Sequence, residues 1–185
     1  MKRLSAAVLA AILLPIAALQ TVSATPVTSP DDQGCANHIR FAELEYGIPE
    51  GLLMAIGVTE SRLNPLALNH GGRTLRPASF DEAANLLVNS AGEPYQNMAI
   101  GCMQIFARFH LDEVDGDPQQ FLDPATNVDY AARLLLYLYR YTGNWRDAVG
   151  RYHTSPTSPN YVRYICVIDR QMAALDAEPV LGCAG

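Results

Sequence analysis

The sequence predicts a mostly helical α+β domain with one small β-hairpin, and three observations predict it. Apolar residues recur at helical spacing in several stretches, each bounded by capping or breaking residues. One segment, residues 65–77, instead carries the turn chemistry of a hairpin between two short extended pieces. With an N-terminal leader set aside, about 160 residues remain, the usual size of one domain, and a 49% hydrophobic content supplies its core.

The leader comes first. Met1-Lys2-Arg3 is positive, Leu4 to Leu19 is an apolar run interrupted by Pro15, and Val22-Ser23-Ala24 is a small-residue exit. This is the layout of a secretory signal peptide over residues 1–24, cleaved after Ala24. A run of this length with an internal proline falls short of the roughly 20 apolar residues that a spanning helix needs. No cysteine stands at the cleavage point to carry a lipid, so no stable membrane insertion is expected after cleavage. Residues 25–34 lack an apolar period and read as a flexible leader. The domain itself is expected over 35–178, with a C-terminal tail over 179–185.

Within the domain, Cys35, Ile39, Ala42 and Tyr46 share one helix face, and Gly47 ends that helix. Pro49 opens a second helix within 47–61, at the first-turn position that proline tolerates. Asn69 to Gly72 make the hairpin turn. Ser79 and Glu82 form a capping box ahead of a helix over 82–89, which Gly92 closes. A central segment, 98–110, leads into an acidic loop. Asp123-Pro124 cap and start a long helix with Val128, Leu135 and Leu138 on its apolar face, ended by Gly143. Asn144 caps a short helix through Tyr152. Ser158-Pro159 start the last one, with Ile165, Ile168, Met172 and Leu175 on its buried side. Seven helices and one hairpin result, with no internal repeat and no second domain.

Charge and cysteine usage narrow the partners. Losing Lys2 and Arg3 with the leader takes the formal charge from −6 to −8. So acidic a chain is a poor match for a phosphate backbone, which excludes nucleic acid and suits a glycan. Cys35, Cys102, Cys166 and Cys183 in an exported chain read as two disulfides with three possible pairings. Of these, Cys35–Cys102 with Cys166–Cys183 is the preferred pairing, in which the second bridge would fold a short tail back onto the last helix; the sequence itself does not select among the three. No metal or cofactor is expected. The acidic loop counted from Asp115 has Gln120 where a calcium loop requires glycine, and His38, His70, His110 and His153 show no zinc spacing.

Glu60 is the candidate for chemistry. It shares a helix face with Leu53 and Ile56 and lies near a helix C-terminus. Partial burial and the helix dipole both favour its protonated form, the state a general acid needs. The same spacing also describes an ordinary solvated glutamate at a helix end. The surrounding motifs add what spacing leaves open. Glu60-Ser61 followed by Asn64-Pro65, then Gly101-Cys102-Met103-Gln104-Ile105, Asn127 in the segment 127–135 (NVDYAARLL), and residues 148–155 (AVGRYHTS) occur in this order. Together they resemble the soluble lytic transglycosylase domain, which is similar in fold to goose-type lysozyme, and the likeness covers roughly residues 35–170.

The resemblance implies a lysozyme-like fold in which Glu60 is the catalytic acid. It also implies that Ser61, Met103, Gln104 and Tyr152 bind substrate. Ser61 supports the acid or the sugar, Met103 and Gln104 contact the glycan, and Tyr152 positions the carboxyl or the bound sugar. The implied reaction is cleavage between N-acetylmuramic acid and N-acetylglucosamine of peptidoglycan, leaving 1,6-anhydro ends, in the periplasm. A hydrolytic muramidase and a non-catalytic glycan-binding module are the rival readings. The small size suits a local task, such as opening the wall for a secretion, pilus or flagellar assembly. The chain departs from the family pattern at Cys102, where an aliphatic residue is usual, and at His153-Thr154, where Asn-Ala is common. Ala131 replaces a frequent glycine, and the stretch between residues 66 and 100 is long and expected to wall one side of a groove.

Overall fold

The computed structural model describes residues 34–183, so the expected signal peptide and most of the leader lie outside the described residues. The chain is mostly helical with a small antiparallel sheet. Helix α1 (Gly34–Tyr46) buries Cys35, Ile39 and Ala42, as their spacing requires, and Gly47 leaves it at φ 63°. The same helix also buries Glu43, whose carboxylate serves the next element.

That element, α2 (Leu52–Ser61), starts three residues later than Pro49 suggests. Gly51 takes a left-handed φ of 81°, which places Pro49 in the preceding turn. Glu43 Oε2 accepts from the Gly51 N–H at 3.2 Å and Oε1 from the Met54 N–H at 2.9 Å. Two of the orphan donors of the helix start are thus satisfied by a side chain from another helix.

The sheet has four strands, twice the number in the expected hairpin. β1 (Leu68–His70) and β2 (Arg73–Leu75) pair across Gly71-Gly72, with Asn69 opposite Thr74. β3 (Met98–Ile100) pairs with the other side of β1, and β4 (Ile105–Phe106) extends the sheet to the order β2-β1-β3-β4. Strands of two and three residues are too short to declare a period of two in sequence. α3 (Phe80–Leu86) starts at the expected cap, where Ser79 Oγ accepts from the Glu82 N–H. It ends before residue 89, because the Asn89 side chain accepts from the Ala91 and Glu93 N–H groups and turns the chain back.

α4 (Ala107–His110) follows the sheet, and the expected acidic loop contains two 3-10 turns, Leu111–Val114 and Pro118–Leu122. α5 (Pro124–Thr142) begins with Asp123 Oδ2 accepting from the Thr126 N–H at 2.8 Å and ends at Gly143. α6 (Trp145–His153) is capped by Asn144. α7 (Asn160–Ala174) buries Ile165, Ile168 and Met172. Leu175, expected in that stripe, is 38% exposed, because the helix stops at Ala174 and Leu175 is its C-cap.

α5 packs on α1 and α6, while α2 packs on α1 and α7, so α2 is clamped on two sides. The disulfides are Cys35–Cys102 and Cys166–Cys183. The tail is held further by buried Asp169, which accepts from the Leu181 and Cys183 N–H groups. No helix among the described residues is long and apolar enough to cross a membrane.

Candidate active site

Glu60 occupies the last turn of α2, and its position follows from what lies beneath that turn. Gly57 has no room for a side chain: a Cβ there would stand 2.8 Å from Ile39 Cδ1 and 3.2 Å from Met103 Sδ. The helix therefore sits directly on the segment 101–104. Arg62 and Leu63 then leave the helix with left-handed φ of 59° and 61°, an uncommon backbone for non-glycine residues. Ser61 holds this exit. Its hydroxyl donates to the Cys102 carbonyl at 2.7 Å and accepts from the Asn64 N–H at 3.1 Å.

The segment below is equally constrained. Gly101 has φ 78°, and a Cβ there would lie 2.5 Å from both Asn127 Nδ2 and the Phe121 carbonyl oxygen. Asn127 is fully buried with every polar atom used: Oδ1 accepts from the Met103 N–H, and Nδ2 donates to the Ile100 and Phe121 carbonyls. The Cys35–Cys102 bridge ties the same segment to α1. Sequence and structure agree that these motifs belong together, but most of their side chains build the floor and do not face the groove.

The predicted site residues accordingly divide. Glu60, Gln104 and Tyr152 line one concavity of about 310 Å³, together with Asn69 from β1, His110 and His153. Gln104 donates both Nε2 protons to the Ala67 and Gly101 carbonyls, which leaves Oε1 as the acceptor for a ligand. Met103 and Ser61 are not on this wall. Met103 is fully buried against α2, and Ser61, 4% exposed, is committed to backbone groups. Neither side chain has surface for a sugar.

The partner of Glu60 is a residue that sequence reasoning missed. Tyr164, from α7, donates its hydroxyl to Glu60 Oε1 at 2.6 Å. The Tyr152 hydroxyl donates instead to the Met103 carbonyl at 2.8 Å. His153 stacks parallel on Tyr164, ring centroids 4.0 Å apart, and its Nδ1 lies 3.8 Å from the same Oε1. Burial, then the Glu60 charge, hold both tyrosine hydroxyls well above their ordinary range, so each remains a neutral donor. The only sequence hint of Tyr164 was its place one turn along a buried helix face, which most core tyrosines share.

The Glu60 concavity runs into a larger one of about 720 Å³ through the shared walls Phe106, His110, Leu134, Tyr152 and His153. Phe109, 73% exposed, stands beside Phe106 on this stretch, with ring centroids 5.8 Å apart. Burial lowers the His110 pKa, and its Nδ1 lies 2.7 Å from the Tyr130 hydroxyl. Among the described residues, Glu60 is the one carboxylate lining this continuous groove. No group of three or more described His, Cys, Asp or Glu converges to hold a metal.

Over residues 37–161 the chain matches the family described as Transglycosylase SLT domain. No curated protein and no solved structure matches it.

Proposed function

The chain belongs to the transglycosylase SLT domain family, a group whose function is peptidoglycan cleavage, and from that membership we propose that it is a periplasmic lytic transglycosylase with Glu60 as its acid. The observation that carries the finer reading is that Glu60 is the single carboxylate lining the groove among the described residues. Hydrolysis by two carboxylates needs a second acid across the scissile bond. Here one residue serves twice.

Glu60 first gives its proton to the oxygen between N-acetylmuramic acid and N-acetylglucosamine, with the substrate's own acetamido oxygen attacking C1 from the other face. The departing glucosamine alcohol leaves with that proton, and Glu60 becomes a carboxylate. Tyr164 favours this change, since a hydrogen bond to a charged acceptor is stronger than one to a neutral acceptor. Because Oε1 is held by Tyr164, Oε2 is the oxygen that carries the proton. Glu60 then takes the proton of the muramoyl C6 hydroxyl, which closes on C1 and releases the acetamido group. Closure is intramolecular, an advantage worth several kcal/mol. Gln104 Oε1 accepts from the sugar, and Phe106 and Phe109 offer apolar faces to the ring C–H groups. Ser61 and Met103 act through the floor they build.

Mass analysis of muropeptides released from purified sacculi tests the reading. The expected products end in a 1,6-anhydro ring, lighter by one water than hydrolytic products. Reducing-end muramic acid as the main product would replace transglycosylation by muramidase action. Glu60→Gln should lower release by roughly 10²–10⁴. A Glu60→Gln protein that still clears a peptidoglycan gel near the wild-type rate would remove the acid from the mechanism.

A further inference from the structure

A third concavity, of about 350 Å³, also reaches Glu60 and His153 but is walled by α2 and α7. Thr59, Asn160, Arg163, Tyr164 and Val167 complete it. The four α7 residues follow one stripe of the helix, at i, i+3, i+4 and i+7. Arg163 is exposed and makes no ion pair or side-chain hydrogen bond among the described residues. Thr59 and Asn160 line the same concavity. The one carboxylate present is Glu60, and Tyr164 already holds it. Such a wall offers donors and a fixed positive charge, so it is matched to an acceptor-rich, anionic ligand. In a chain of net charge −6, an unpaired cation at this wall supplies local attraction for an anion.

We propose that this concavity receives the carboxylate-bearing peptide substituent of the muramic acid being cleaved, with Arg163 as the contact to its carboxylate. The proposal rests on the reading of Glu60 as the acid. An acid working at C1 of that sugar stands about a ring's width from the peptide, which leaves the same ring at C3. The volume lies at the lower end of pockets that hold small ligands, room for the first residues of a peptide.

The test compares wild type, Arg163→Gln and Arg170→Gln on two substrates. One is glycan strands that bear their peptides with free carboxylates, and the other is the same strands with the peptide carboxylates converted to uncharged amides. Arg170 is exposed on the same helix and outside the concavity, so it controls for a general loss of charge. Wild type is expected to show kcat/KM roughly fivefold higher on strands with free peptide carboxylates, the factor of one partly exposed charge pair. That preference should shrink with added salt, persist in Arg170→Gln and disappear in Arg163→Gln. Equal slowing of both substrates by Arg163→Gln, or an unchanged preference, overturns the proposal. Failure of the wild type to release anhydro ends from either substrate overturns the functional reading itself, and the proposal with it.

Discussion

Tyr164 and Tyr152 both donate a hydroxyl hydrogen near the acid, but only the first reaches Glu60; the second reaches the Met103 carbonyl. Their removal should therefore register in different measurements. Tyr164→Phe keeps the ring stacked on His153 and deletes the donor to Oε1. We expect kcat to fall about tenfold, the equivalent of one charge-assisted hydrogen bond's differential strength, with KM little changed. Tyr152→Phe leaves a buried carbonyl unsatisfied, at a cost of about 1–3 kcal/mol. Its signature should be a lower melting temperature and a smaller change in kcat. Steady-state kinetics on soluble glycan strands and thermal melts check both; the reverse pattern would return the positioning role to Tyr152. Gly101 marks the other sensitive residue. Its alanine variant must move Asn127 and the Phe121 carbonyl together, so it should unfold well before wild type on heating.

At the scale of elements, α2 carries the acid at one end and depends on Glu43 at the other. Burial raises the Glu43 pKa above its ordinary value of 4.5, outweighing the backbone N–H groups that lower it. The sign follows from linkage. A carboxyl whose folded pKa is raised stabilises the fold fully below its unfolded pKa, and the contribution is lost as pH rises through the folded value. Glu43→Gln removes this titration and also offers an amide to two N–H donors, of which it can satisfy one. Wild type should therefore exceed Glu43→Gln in melting temperature by a wider margin at pH 4 than at pH 7. A constant margin across that window would show that Glu43 binds no extra proton in the folded state.

At the scale of the whole molecule, the two disulfides do unequal work. Cys35–Cys102 closes 67 residues and ties the site floor to α1, whereas Cys166–Cys183 closes 17 and ties down the tail. Chain entropy alone gives about 4 kcal/mol for the first and about 3 kcal/mol for the second. Paired Cys→Ala substitutions, followed by urea denaturation and muropeptide release, should separate them. Loss of Cys35–Cys102 is expected to lower both stability and turnover. Loss of Cys166–Cys183 is expected to lower stability with turnover close to wild type. Equal turnover in the two variants would mean that the tether does not hold the floor.

The sequence by itself determined the helices whose ends are local chemistry: Ser79, Asp123 and Asn144 cap where they were expected to, and Gly143 stops where it was expected to. It also determined that the Glu60, Gly101 and Tyr152 motifs converge, because their order and types are distinctive. What only the tertiary structure decided are contacts between residues far apart in the chain. Glu43 capping α2, β3 and β4 completing the sheet, and Tyr164 reaching Glu60 across 104 positions leave no periodic trace. The same holds for the burial of Met103 and Ser61, whose motif placed them at the site without saying which way they face. Capping and turn signals act over three or four residues and can be read in a line of letters. Which side chain meets a carboxylate depends on how helices are clamped together, and that is settled by packing in three dimensions.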